Sequence, residues 1–218
     1  MHARTNLSWL SVKWMLTLLV LAYFQTSFAD TAPPSAKIQK VSFSGSGCKK
    51  NSANATISPD FQEVSVLFDK YSVEIGEGST QPEKVRSNLF CNLNLDLQVP
   101  KGWQISLASA DFRGFVALPE NTFGYFQLFF LNKHRQYKML NQSVFLGPLL
   151  EDLLIHEDFQ IKPYSRCSDG HIKVSLFSRI GLEFMEKSGP REFSQIVLDS
   201  VDGAVNAVLP LKWKKCKG

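Results

Sequence analysis

Between Leu89 and Val99 the chain alternates without a break: Leu89, Cys91, Leu93, Leu95, Leu97 and Val99 take one phase, and Asn92, Asn94, Asp96 and Gln98 the other. A period of two sustained over this length is the pattern of a β-strand with one face buried. A strand that long dictates much of what surrounds it. Its backbone needs neighbours on both sides, and its apolar face needs a second layer to cover it. Cys91 lies in the buried phase, so any bridge it makes is anchored in the core.

The rest of the chain repeats the signal in shorter runs. A Pro100-Lys101-Gly102 turn launches Trp103, Ile105 and Leu107 on one face and Gln104, Ser106 and Ala108 on the other. Gly114 then interrupts the apolar run Phe112–Leu118, which predicts a bulge or a close backbone approach. Ile38, Val41 and Phe43 open the ordered chain. Ala55 and Ile57, then Val64, Val66 and Phe68, form two short strands about the Ser58-Pro59-Asp60 turn, and Tyr71, Val73 and Ile75 continue. Ile172, Val174 and Leu176 lead through Ile180 and Leu182 to Phe184, and Ile196, Leu198 and Leu211 follow. From Phe123 to Phe130 both phases are apolar, so this strand is either covered on both sides or keeps one face for a partner. Leu149–Ile155, preceded by Gly147-Pro148, reads as one short turn of helix, with a strand–turn–strand reading also open. These runs predict a single antiparallel β-sandwich, of jelly-roll or Greek-key type, over residues 37–218.

Compartment follows from the first residues. Arg4 and Lys13 precede an apolar run from Trp14 to Phe24, and Ser27-Phe28-Ala29 supplies a small-x-small cleavage site. The run is about half of the roughly 20 apolar residues a membrane-spanning helix needs. Residues 1–29 are therefore expected to be a cleaved signal peptide and 30–36, with Pro33 and Pro34, a flexible leader. The mature chain is expected to be secreted or periplasmic, with no transmembrane segment.

Four cysteines, Cys48, Cys91, Cys167 and Cys216, all fall after the leader. An even number in an exported chain argues for bridges, and no C-x-x-C pair is present to suggest zinc or thioredoxin-like chemistry. Three pairings are possible; the sequence-local one, Cys48–Cys91 with Cys167–Cys216, is expected. The whole sequence has 24 basic and 20 acidic residues, net +4, and loses Arg4 and Lys13 with the leader. So even a balance gives no reason to expect nucleic acid as partner. The cluster Lys133, His134, Arg135, Gln136 and Lys138 reads as a solvated hairpin tip.

Residues for catalysis are sparse. His134, His156 and His171 stand apart, with no H-E-x-x-H, and no G-x-S-x-G elbow occurs. With every cysteine paired, no thiolate is left as nucleophile. No metal site and no cofactor is expected. Gly45-Ser46-Gly47 lacks the spacing of a phosphate loop and reads as a tight turn. Asp60 and Asp69 read as Asx turns at strand ends or as calcium ligands, and Asp199-Ser200-Val201-Asp202-Gly203 as a turn. Glu151/Asp152 and Glu157/Asp158 are adjacent and point to opposite faces of a strand, which does not make an acid/base pair. A glycosidase whose two carboxylates come from distant strands stays open. Trp103 and Trp213 are the candidate ligand-binding residues, as stacking platforms for sugar rings, against the alternative that Trp103 is core. Asn54-Ala55-Thr56 and Asn141-Gln142-Ser143 are glycan acceptors in a eukaryotic secretory route.

Several of these features occur together and in order. Gly-Ser-Gly-Cys48, Ser-Pro-Asp-Phe61, Phe68-Asp69, Cys91 entering a leucine-rich strand that ends in Pro-Lys-Gly102, Phe112-Arg113-Gly114-Phe115 with Leu118, Ser165-Arg166-Cys167 and Lys212-Trp213-Lys214-Lys215-Cys216 resemble the family of secreted proteins called domain of unknown function 4360. The resemblance covers nearly the whole mature chain, departing at Arg166, where the family tends to carry proline, and at Phe112, where it tends to carry tyrosine. It implies an exported β-sandwich with paired cysteines, and transfers no activity and no site residues. The functional expectation is a non-catalytic binding or envelope-associated protein, its partner a polysaccharide or an envelope protein. The alternatives are a carbohydrate-binding module and a cryptic glycan hydrolase.

Overall fold

A computed structural model describes residues 32–131, 134, 136–159, 163–186, 188–198 and 207–217. The expected signal peptide over residues 1–29, Lys133 and Arg135 of the basic cluster, and the Asp199–Gly203 turn lie outside the described residues.

The described chain contains thirteen strands: β1 (Lys37–Ser44), β2 (Ala53–Ile57), β3 (Glu63–Phe68), β4 (Ser72–Ile75), β5 (Arg86–Gln98), β6 (Trp103–Leu107), β7 (Ser109–Leu118), β8 (Thr122–Leu131), β9 (Tyr137–Leu146), β10 (Leu149–Asp158), β11 (His171–Phe184), β12 (Ser194–Val197) and β13 (Ala207–Lys215). They form two antiparallel sheets packed face to face. The first has five strands in the order β1-β5-β11-β8-β9. The second has eight, in the order β2-β3-β13-β7-β12-β4, with β10 added on β7 and β6 on β13.

Pairing registers show that the eight strands occupy five rows. β12 and β13 both run antiparallel to β7, through Gln195↔Ala117 to Val197↔Phe115 and through Ala207↔Phe112 and Val208↔Asp111. They lie end to end along one edge of β7. β3 and β4 lie end to end on their far side, and β6 and β7 share a row in which the Ala108 N–H reaches the Pro210 carbonyl at 2.9 Å. The fold is thus two five-row sheets. Successive segments mostly alternate between them, which is the jelly-roll habit.

The core is where the inward phases meet. Leu93, Leu95 and Leu97 of β5, Val174 and Leu176 of β11 and Phe126 and Phe130 of β8 face Val64, Val66, Ile105, Leu107, Leu209 and Leu211 of the opposite sheet. Gly114 marks a close approach, because a Cβ there would stand 2.0 Å from the Val197 carbonyl oxygen where β12 ends against β7. The Leu149–Ile155 helix expectation is corrected: the segment is strand β10, paired along its length with β7 from Leu149↔Leu118 to Asp158↔Ser109. Leu153 and Ile155 are buried while Leu150 and Leu154 are exposed, a two-residue period that outweighs the proline start signal.

Both bridges are the sequence-local ones, Cys48–Cys91 and Cys167–Cys216. The first ties the turn after β1 to the middle of β5. The second clamps β6 from both sides. Ser165 and Ser168 donate their backbone N–H to Ile105 and Trp103 carbonyls at 2.8 and 2.7 Å, and the Cys216 N–H reaches the Gly102 carbonyl at 2.8 Å.

Candidate functional site

The two tryptophans are not where a ligand can reach them. Trp103 and Trp213 are 7% and 1% exposed, packed among the core residues, and the Trp213 Nε1–H donates to the Phe61 carbonyl at 2.7 Å. This corrects their candidacy as stacking platforms. The inward phase of β6, and of β13 paired to it, carries both rings into the core. Asp60 serves its own turn: its carboxylate accepts from Ser58 Oγ at 2.6 Å and from the Gln62 N–H at 3.1 Å, and these bonds hold it below the usual carboxylate range. The Gly45–Gly47 turn packs on β5, with the Gly47 N–H donating to the Phe90 carbonyl at 2.9 Å and the Phe90 N–H donating to Ser46 Oγ at 3.1 Å. The Gly47 amide and the Ser46 hydroxyl are thus used within the fold.

Aromatic side chains reach solvent elsewhere, on the outer face of the five-stranded sheet. The outward phase of β5 runs Phe90, Asn92, Asn94, Asp96; that of β11 runs Lys173, Ser175, Phe177, Arg179; that of β8 runs Phe123, Tyr125, Gln127, Phe129. Register aligns these phases. Phe177 stands opposite Phe129 on one side and Asn92 on the other, and Arg179 stands between Phe90 and Gln127. The Phe177 ring becomes a hub, its centroid 5.9 Å from Phe90, 5.5 Å from Phe129 and 5.8 Å from Tyr137. Phe90 and Tyr137 are 37% and 49% exposed. Cross-strand aromatic pairs stabilise a sheet, but a row of rings open to solvent also offers faces on which a planar or ring-shaped ligand can lie.

One further ring is held flat by a glycine. Gly181 of β11 is directly opposite Tyr125 of β8, and a Cβ on Gly181 would stand 2.3 Å from Tyr125 Cζ. The phenol therefore lies across the neighbouring strand, in space that only glycine leaves open. Polar amides border the rings: Gln127 Nε2 donates to Gln142 Oε1 at 3.1 Å, and Asn88 and Asn92 flank Phe90 on β5.

The same face turns polar toward one end. A groove of about 240 Å³ runs over Lys40, Ser42, Asn94, Asp96, Lys173 and Ser175. A second groove, about 550 Å³, shares Lys173 and Ser175 with it and is walled by Ser165, Arg166, Cys167 and Asp169 of the segment that clamps β6. His171 lies here and pairs with Asp96 at 3.2 Å. His156 lies on the opposite sheet, beside its cross-strand partner Asp111 and 3.9 Å from Asp158. His156 and Asp158 are exposed on the edge strand β10, and Asp111 is half-buried on β7 beside it. Among the described residues no group of three or more His, Cys, Asp or Glu side chains is arranged to hold a metal ion, and no helix is long and apolar enough to cross a membrane.

The sequence shows the β8 part of the aromatic row, where both phases from Phe123 to Phe130 are apolar, but not Phe90 and Phe177, because on β5 and β11 the sequence reading follows only the apolar phase. The signal that finds these two is the converse: a large ring in the polar phase, as Phe90 is between Asn88 and Asn92, and Phe177 between Ser175 and Arg179.

The known proteins most like this chain include one of unassigned activity. A protein of Arthroderma benhamiae described as an uncharacterized secreted protein is 26% identical over 187 residues, covering 84% of this chain and 73% of that protein. Among solved structures, TmCBM61 in complex with β-1,4-galactotriose has a TM-score of 0.27 at 10% identity, over 82% of this chain and 90% of its own. The family 11 carbohydrate-binding module from Clostridium thermocellum, in complex with a β-1,3-1,4-mixed-linked tetrasaccharide, has a TM-score of 0.20 at 10% identity, over 85% and 93%. Scores this low carry no argument about fold or ligand here. The model of Domain of unknown function (DUF4360) matches residues 34–216, and the protein belongs to that family.

Proposed function

We propose that this is an exported, non-catalytic protein that binds polysaccharide on the outer face of its five-stranded sheet. The observation that carries the reading is the row of rings around Phe177, bordered by side-chain amides, with Phe90 and Tyr137 exposed to solvent. Sugar rings present apolar C–H faces for stacking and hydroxyls for amides, so the mixed surface suits them. Export is supported by the leader pattern, by the two bridges, which fit an oxidising compartment, and by the secreted fungal relative. The alternative, a cryptic hydrolase, would draw on carboxylates such as Asp111 and Asp158 beside His156, of which Asp158 is open to solvent.

The test is retention of the mature, oxidised protein on insoluble peptidoglycan, chitin, cellulose and pectate, with Phe177→Ala and Tyr137→Ala beside the parent. Retention of the parent on at least one of these and its loss in Phe177→Ala is the expected outcome. Equal retention of all three proteins moves the site off this face; no retention on any matrix removes the polysaccharide reading. Turnover of any glycan, abolished by Asp111→Asn, would replace it with the hydrolase.

A further inference from the structure

At the centre of the aromatic row is a cation that stacks on a ring and has no carboxylate partner among the described residues. The Arg179 guanidinium carbon sits 5.5 Å from the Phe177 ring centroid, and its Nε is buried with no hydrogen-bond partner among the described residues. Carboxylates on this face are engaged and far away: Asp96 pairs with His171, and Glu183 with Arg86 at 3.9 Å. Along β11 the position opposite Asp96 is Lys173, about 20 Å from Arg179, and Glu183 is about 13 Å away, at 3.3 Å per residue. The outward positions of this sheet carry Lys40, Arg86, Lys173 and Arg179 against Asp96 and Glu183, so the face as a whole is cationic.

Arg179 as a whole is only half-buried, and a guanidinium with no carboxylate beside it among the described residues is a donor that an anionic ligand on this face can engage. The fork of a guanidinium matches a carboxylate in plane and spacing, and stacking on Phe177 already restricts the side chain. Resting on the polysaccharide reading above, we propose that the ligand is an acidic glycan. Its sugar rings would lie on Tyr125, Phe177 and Phe90, and a uronate carboxylate would accept from Arg179. Lys173 and Lys40, further along the face, extend the same preference to a chain carrying repeated carboxylates.

The experiment is calorimetric titration of the mature, oxidised protein with an oligogalacturonate and with its carboxyl-reduced counterpart, which has the same linkage and no charge. Calorimetry is preferred because Trp103 and Trp213 are buried away from the face and give no fluorescence report. The parent is expected to bind the acidic oligomer on the order of tenfold more tightly at low salt, the effect of one charged hydrogen-bonded pair. That margin should shrink as salt rises. Arg179→Gln should abolish the preference while keeping whatever affinity the neutral oligomer shows, and Arg179→Lys should restore part of it. Circular dichroism of each variant separates loss of binding from loss of fold. Equal affinity of the parent for both oligomers, or a preference that survives in Arg179→Gln, overturns the acidic-glycan inference and leaves the polysaccharide reading intact. Binding of neither oligomer overturns it too, and self-association of the parent that Phe177→Ala abolishes would assign the face to a second copy instead.

Discussion

The two bridges close loops of similar length in different surroundings, and their removal should have separable consequences. Cys167 and Cys216 are 49 residues apart, and loop-closure entropy alone assigns their bridge about 4 kcal/mol. Cys48 and Cys91, 43 apart, give nearly the same entropic figure of about 4 kcal/mol. The difference is burial. Cys48 and Cys91 are 0% and 2% exposed, whereas Cys167 is exposed at the surface. Replacing the first pair by alanine also removes two buried sulfurs, at about 1 kcal/mol each, for a total near 6 kcal/mol. In a domain whose whole stability is on the order of 5–15 kcal/mol, that separates a weakened protein from one near its folding threshold. Urea unfolding of the Cys167→Ala/Cys216→Ala and Cys48→Ala/Cys91→Ala proteins, read by circular dichroism, should therefore show losses of about 4 and about 6 kcal/mol. A mild reductant with thiol trapping and mass spectrometry should open Cys167–Cys216 in the native state and leave Cys48–Cys91 closed until the chain unfolds. The amides of Ser165, Ser168 and Cys216, which hold β6, should then exchange faster while those of β5 stay protected. Reduction in the opposite order, or a loss below about 1 kcal/mol for the exposed bridge, would refute the reasoning.

Two further outcomes follow from single side chains. Tyr71 is fully buried against Ser178 Oγ at 3.1 Å, and burial pushes its phenol above the ordinary range. The unfolded chain ionises this tyrosine above about pH 10 and the native one does not, so its contribution is intact below that pH and falls by about 1.4 kcal/mol per unit above it. Tyr71→Phe should lower stability at pH 8 by about 1–2 kcal/mol and flatten the alkaline fall between pH 10 and 11, measured by urea midpoints; an unchanged alkaline slope would contradict it. Of the two glycan acceptor sequences, Asn54 is exposed on the outer strand β2, while Asn141 is 8% exposed with its Nδ2 donating to Ser143 Oγ at 3.3 Å. Secretion from a eukaryotic host should add a glycan that Asn54→Gln removes and Asn141→Gln leaves in place, read by mass before and after enzymatic deglycosylation.

What could be read in the sequence is what alternation and local chemistry decide. A period of two says which residues of β5, β6 and β11 face inward, because each side chain's phase is fixed by its own strand. That is why the sandwich, the buried Cys91, the core placement open to Trp103 and the close approach at Gly114 could be expected before any strand was placed beside another. Cysteine number and spacing pointed to the two bridges for the same local reason. Alternation does not say which strands are neighbours or in what register, since those are contacts between residues distant in the chain. Only the tertiary structure puts Phe90, Phe129, Tyr137 and Phe177 around one hub from four strands, lays Tyr125 over Gly181, and leaves the Arg179 Nε among them without an acceptor among the described residues. It also takes Trp213 out of consideration, because the last strand is drawn into the second sheet between β3 and β7 and its inward phase becomes core. Each strand's own sequence sets its faces; the pairing of strands far apart in the chain decides which of those faces becomes a site.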